Sequence, residues 1–339
     1  MEKDETLTKL NSFEPSYFQP AWWLPGGHLQ TIGGWLFRHF SGINYSREKL
    51  ELSDGDFLNL DIHPSDYKGR EKEAYRAIAV LVHGLEGSSR SGYIQQLASR
   101  LAKKNILIVA MNLRSCGGEM NHKDRFYCAG DSDDLAEVVD WCSGSFPNTP
   151  FLAAGFSLGG ALLLKYLGER KENTKLKAAA GVSIPLNLDL GMQQIETGFP
   201  RLYNKYFTHY LRQKGRRKLE SGWYQLPVES LYELEDIRDF DERITAPLCG
   251  YDGARDYYSS CSANNFIPNI KTPTLLVQAH SDPLIAWDQS ILNQIKTSRF
   301  TRLLELNEGG HMGFLSGKVP LYPHYWLEEE LTRFLTEFC

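Results

Sequence analysis

The sequence predicts an α/β protein with a mostly parallel central sheet, helices on both faces and an inserted helical segment. Three observations lead there. Apolar runs of strand length, such as Ala77–Val82, alternate with segments whose apolar residues recur at helical spacing. That alternation breaks at Pro185 and resumes at about residue 263. Before the break, Gly155-Phe156-Ser157-Leu158-Gly159 joins an apolar strand to a helix through a glycine-flanked serine.

Residues 1–45 read as an arm packed on the core. From Glu14 to Phe40 they carry Trp22, Trp23, Trp35 and several phenylalanines, punctuated by Pro15, Pro20, Pro25 and Gly26-Gly27. So aromatic a stretch is expected to dock, because in water it would expose a large apolar patch. His28-Leu29-Gln30-Thr31 is polar enough for a site, but a buried, hydrogen-bonded structural role is the stronger expectation. Leu50 and Leu52, then Leu58, Leu60 and Ile62, alternate with polar residues about Asp54-Gly55. That is a β-hairpin closed by a two-residue loop, expected at the antiparallel edge of the sheet.

The core is expected over 46–185 and 263–339. Buried strands are predicted at Ala77–Val82, Ile106 to Ala110, the run before Ser157, Ala178 to Val182, Thr274–Ala279 and Arg302 to Leu306. Helices are marked by Ile94, Leu97, Ala98 and Leu101, by Leu135, Val138, Val139 and Cys142, by Leu158–Arg170, and by Leu327, Leu331, Phe334, Leu335 and Phe338. Another starts near Ala286. Asp131, Asp133 and Asp134 open the second of these, where capping and the helix dipole account for them. Residues 186–262 hold no strong strand and are expected to form a cap or lid. Within them Arg201 to Lys218 holds seven Lys/Arg and no acid, and Glu220 to Glu242 holds eight acids. The two blocks are expected to be solvated faces that partly neutralise each other; a membrane surface or anionic substrate is the alternative for the basic one.

Composition narrows the function. In 339 residues, 42% hydrophobic and 23% charged, there is ample material for a globular core. A net charge of −5 gives no global signal for nucleic acid. No run approaches the ~20 apolar residues of a membrane span. The acidic start, Met1-Glu2-Lys3-Asp4-Glu5, lacks the apolar stretch of a signal peptide. Six cysteines without C-x-x-C spacing point neither to zinc nor to a disulfide framework, so a reducing, cytoplasmic setting is expected.

The chemistry is carried by loops that follow strands. A G-x-S-x-G turn holds its serine in a strained conformation above the end of a sheet. Gly155 and Gly159 avoid a collision across the turn, and Gly160 lets helix and strand pack closely. A serine hydroxyl needs a base, and the base needs an orienting acid. After Thr274–Ala279 comes His280-Ser281-Asp282-Pro283; after Leu306 comes Asn307-Glu308-Gly309-Gly310-His311. Ser157 as nucleophile, Asp282 as acid and His311 as base are therefore the candidates. Asp252 and Asp256 compete for the acid, His324 for the base, and His280 reads as a neighbour or core residue. Two N–H donors must face the developing oxyanion: those of Leu158, next to the serine, and Leu85, in His83-Gly84-Leu85-Glu86-Gly87. Gly84 is expected to permit the turn that aims Leu85.

With these residues in hand the chain resembles the α/β-hydrolase superfamily, and within it the YheT-like, ABHD-type branch of serine esterases. The resemblance rests on Trp22 to Thr31, His83 to Gly87, Asn112 to Gly118, Gly155 to Gly160, Asp256-Tyr257-Tyr258, Ser281-Asp282-Pro283 and Gly309-Gly310-His311. It implies hydrolysis of carboxylic esters by Ser157, His311 and Asp282, with no cofactor and no metal. No histidine has an Asp five residues on, so the H-x-x-x-x-D element tied to acyl transfer in some relatives is missing. The expected partner is a small-molecule ester, with no nucleic acid; peripheral contact with a membrane is left open. Thioesterase or acyltransferase activity on the same triad is the alternative, and a non-catalytic binding protein a further one.

Overall fold

The computed structural model describes residues 2–38, 42–69, 75–222 and 231–339. The end of the aromatic stretch at 39–41 and part of the acidic block at 223–230 lie outside the described residues.

Eight strands form one sheet: β1 (Ser46–Glu51), β2 (Phe57–His63), β3 (Ala77–Val82), β4 (Ile106–Asn112), β5 (Phe151–Phe156), β6 (Leu176–Val182), β7 (Thr274–Ala279) and β8 (Thr301–Leu306). Their order is β1-β2-β4-β3-β5-β6-β7-β8. Only the β1–β2 and β2–β4 pairings are antiparallel, so the hairpin supplies the antiparallel edge. Its loop is longer than expected. Leu52 and Asp56 close it around three residues, and Gly55 takes the left-handed conformation (φ 81°) that ends such a turn.

The sheet is buried on both sides because every second residue feeds a different layer. Ile78, Val80 and Val82 of β3 join the helices α4 (Ser132–Ser145) and α5 (Leu158–Arg170). Ala77, Ala79 and Leu81 join α3 (Gly92–Ala102) and the C-terminal helix α10 (Trp326–Thr336). The arm docks on this second layer through Leu10 and Phe13. Its helices are α1 (Glu2–Ser12) and α2 (Gly26–Leu36). Trp22 and Trp35 nevertheless remain 69% and 75% exposed.

Between β6 and β7 the described residues form helices only: α6 (Leu188–Ile195), α7 (Arg201–Glu220), short turns at Ile237–Leu248 and α8 (Ala254–Cys261). The last long helix before β8 is α9 (Gln289–Thr297). The inserted helices share an apolar cluster of their own, closed beneath by Phe126, Cys128 and Ala129. Mutual neutralisation of the charge blocks is slight among the described residues. Among the described residues only Arg216–Glu220 joins them, while Lys214 and Lys218 turn inward to Glu86 and Asn121. Two of the acids at the start of α4 have partners other than the helix end. Asp134 is buried in a bidentate pair with Arg114, and Asp131 is paired with Arg125.

From β3 the chain adds β4 on one side and then crosses to add β5 on the other. Open α/β sheets hold ligands at such a reversal, beyond the C-terminal ends of the strands.

Candidate active site

Ser157 sits at that reversal, between β5 and α5, at φ 51° and ψ −121°. An L-residue adopts such a backbone only when its surroundings hold it there. Ser157 N–H donates to Val182 O at 2.8 Å, tying the turn to β6. A Cβ on Gly155 would lie 2.5 Å from Gly159 O, the expected collision across the turn. Gly159 is glycine for another reason. Its Cβ would overlap His83 O and lie 2.7 Å from Val82 O, so the turn is pressed onto the end of β3.

The structure brings Ser157, His311 and Asp282 together. His311 Nε2 is 2.9 Å from Ser157 Oγ, and His311 Nδ1 lies 3.0 and 3.2 Å from the two Asp282 oxygens. An ionised carboxylate only accepts, so Nδ1 carries the hydrogen and Nε2 is left to accept from the serine. Asp282 is buried and its Oδ1 also accepts from Leu284 N–H at 2.9 Å, which fixes its plane. The rival residues lie elsewhere. Asp256 accepts from Asp252 N–H, and both are exposed at the start of α8. His324 pairs with Glu329. His280 is neither in the core nor in the triad: it is half exposed, stacked on Trp287 and paired with Glu305.

The loop after β3 is a turn closed by Gly87 N–H donating to Gly84 O at 3.0 Å. Tyr93 Oη accepts the Gly84 N–H and Tyr127 Oη the Glu86 N–H, at 3.0 and 2.7 Å. Between them the Leu85 N–H has no partner among the described residues, and neither has the Leu158 N–H. Both residues line the same cavity as Ser157 and His311. Glu86, at φ 54°, takes the left-handed position of this turn. Gly84 is needed for space instead, since its Cβ would stand 3.0 Å from the Ser157 Cβ. His83 beneath is fully buried, with Nδ1 2.7 Å from Gly84 O and Nε2 accepting from Leu113 N–H. Burial is the main reason its pKa is pushed down to about 4, so it is a neutral strut.

Two supports escaped the sequence. Thr31 Oγ1 accepts the His311 N–H at 2.8 Å while donating to Gly27 O. A Cβ on Gly27 would overlap Ser281 O beside Asp282, and Cβ atoms on Gly310 and Gly313 would overlap the backbone of α2. Gln30 is buried and hydrogen-bonds to Leu24 O and to both backbone groups of Leu315. The structural role expected for Gln30 and Thr31 is thus to hold the loops that carry Asp282 and His311. The second support is Lys214 of α7, whose Nζ lies 2.8 Å from Glu86 Oε1 and 4.6 Å from the centre of the Tyr127 ring. No local pattern marks either, because their partners are distant in the chain.

The cavity holds about 840 Å³ and is walled mainly by apolar residues, among them Met192, Ile195, Phe207 and Leu211. Elsewhere, Cys128, Asp131 and Cys249 bring ligand atoms within 4.8 Å of one another. Asp131 is already engaged by Arg125, and a hydrogen bond with Cys249 together with burial raises the Cys128 thiol pKa well above its usual value. None of the three lines the Ser157 cavity.

Residues 80–318 match the family model of the alpha/beta hydrolase fold. The YheT protein of Escherichia coli (strain K12), which bears a provisional esterase name, is 34% identical over 98% of this chain and 97% of its own. The chain belongs to the α/β-hydrolase fold family. A monoacylglycerol lipase of Saccharomyces cerevisiae is 31% identical over 93% of this hydrolase-fold chain and 79% of its own. Among solved structures, the Pyrococcus furiosus esterase Pf2001 superposes with a TM-score of 0.57 at 15% identity, covering 88% of this chain and 92% of that one. The last likeness concerns the fold alone. The order Ser157, Asp282, His311 along the chain matches the serine, acid, histidine order usual in this fold. No helix among the described residues is long and apolar enough to cross a membrane.

Proposed function

We propose that the protein is a serine hydrolase that cleaves carboxylic esters through an acyl-enzyme. One observation carries the reading: Ser157, His311 and Asp282 are hydrogen-bonded in series at the wall of an apolar cavity. His311 Nε2 takes the Ser157 proton as Oγ attacks the ester carbonyl. The oxyanion accepts from the Leu85 and Leu158 N–H groups, each contribution worth about 3 kcal/mol in comparable sites. The alkoxy group leaves with the proton from His311, and Ser157 keeps the acyl group. Water, giving a proton to His311, then attacks that ester; the acid departs and Ser157 is restored. Asp282 holds the Nδ1–H tautomer throughout and stabilises the imidazolium.

The shape of the cavity favours an ester with an apolar acyl or alcohol part, and similarity to a monoacylglycerol lipase points the same way. In this reading residues 186–262 are the cap over the core at 46–185 and 263–339, and residues 1–45 an arm that braces the triad. A chain-length series of p-nitrophenyl esters tests it. Turnover is expected to rise from acetate towards medium chains, and to fall ~10⁶-fold in Ser157→Ala and ~10⁴-fold in Asp282→Asn with melting unchanged. Full activity in either variant would remove the assigned nucleophile or acid.

A further inference from the structure

Six large side chains both line the cavity and stand 41% exposed or more: Ile32 and Trp35 of α2, Phe199, and Leu202, Tyr206 and Tyr210 of α7. They are the rim of its mouth. Isolated exposed apolar residues are ordinary, but a ring of six around one opening is a patch that soluble proteins rarely leave to water.

From Arg201 to Lys218 the charges that α7 places beside it are of one sign. Leu202, Tyr206 and Tyr210 follow one another at i, i+4 and i+8, and Arg201, Lys205 and His209 form the adjacent stripe. Arg201 and Lys205 are exposed and have no carboxylate partner among the described residues; neither has Arg90, on the cavity wall. The nearest acids in sequence, Asp189 of α6 and Glu196 just after it, are both committed to Arg238. Unpaired cations therefore flank an aromatic rim on a protein whose net charge is −5. Tryptophan and tyrosine at the edge of an apolar surface, with Lys/Arg alongside, is the composition of a helix that lies in a lipid headgroup layer.

We propose that the mouth of the cavity docks on an anionic lipid surface, with α2 and α7 seated among the headgroups. The cavity then opens into lipid, and an ester reaches Ser157 without crossing water. This rests on the hydrolase reading for its purpose but not for its test. Flotation of the intact protein with phosphatidylcholine vesicles, with and without phosphatidylglycerol, reads the docking directly. Binding is expected on the anionic vesicles, weakening as salt rises, and poor on phosphatidylcholine alone. Arg201→Glu/Lys205→Glu should lower partitioning by at least ~30-fold, at about 1 kcal/mol per cation lost. Neither residue lines the cavity, so hydrolysis of a soluble p-nitrophenyl ester should be unchanged in this variant. Ser157→Ala should float like wild type, so a wrong nucleophile leaves this result standing. No flotation, equal flotation with both vesicles, or full flotation of the charge-reversed variant would overturn the proposal. So would a vesicle-free dimer by light scattering that Trp35→Ser dissolves, which would give the patch to a second copy.

Discussion

Helices α2 and α7 flank the same cavity, but they are attached to the molecule in opposite ways. Backbone contact through Gly27, Gly310 and Gly313 holds α2, too close for any Cβ, and buried Gln30 and Arg38 add hydrogen bonds. Side-chain tethers hold α7: Lys214 to Glu86, Lys218 to Asn121, Tyr203 to His28 and the Asn204 amide oxygen accepting from Ile237 N–H. Close-packed backbone cannot yield by small steps, whereas a tether of long side chains can lengthen or break singly. The arm helix thus fixes the loops that carry Asp282 and His311, and the inserted helix forms part of the cavity wall.

The largest expected effect tests the rigid side. Gly27→Ala would push Ser281 away and carry Asp282 with it. Turnover should drop at least ~10²-fold, as for a displacement near 1 Å, with a clear loss of melting temperature. An unchanged kcat would show that α2 is not part of the frame. On the tethered side, Lys214→Met leaves the largely enclosed Glu86 without its cation. A loss of about 3–5 kcal/mol in denaturant unfolding is expected, largely recovered in Lys214→Met/Glu86→Gln, with KM moving more than kcat. A fall in kcat as deep as that of Gly27→Ala would erase the distinction between the two helices.

A smaller effect probes the loop between them. His83 is neutral in the fold with its pKa pushed down to about 4, against an unfolded value near 6.5. The unfolded chain therefore binds the proton first as pH falls. His83 contributes its full stability above about pH 6.5 and loses about 3 kcal/mol of it on the way to pH 4. Unfolding curves of wild type and His83→Phe across that range should differ in slope by this amount; parallel curves would mean that His83 is not held neutral.

Much of the sheet was legible because its strands are apolar on both faces and its helices on one. The runs at 77–82, 106–110 and 274–279 needed no tertiary information, and Ser157, Asp282 and His311 each lie just past a strand, β5, β7 and β8 in turn. What the sequence hid depends on distant partners. Gly27 is constrained by Ser281 and Gly310 by Thr31, and neither neighbour can be inferred from local spacing. The charge blocks misled for the same reason: Lys214 and Glu86 are 128 positions apart, whereas the nearest acid to Lys214 in sequence, Glu220, pairs with Arg216. Gly84 and Glu86 exchanged roles because a turn's sign of φ is not written in its composition, and a glycine there was demanded by the Ser157 Cβ.

In the proposed mechanism Ser157, activated by His311, is the nucleophile. A fluorophosphonate probe followed by peptide mass spectrometry tests it most directly. One adduct is expected, on the peptide containing Ser157, absent in Ser157→Ala and strongly slowed in Asp282→Asn. Labelling that survives in folded Ser157→Ala, or an intact folded protein that takes up no probe, would contradict it.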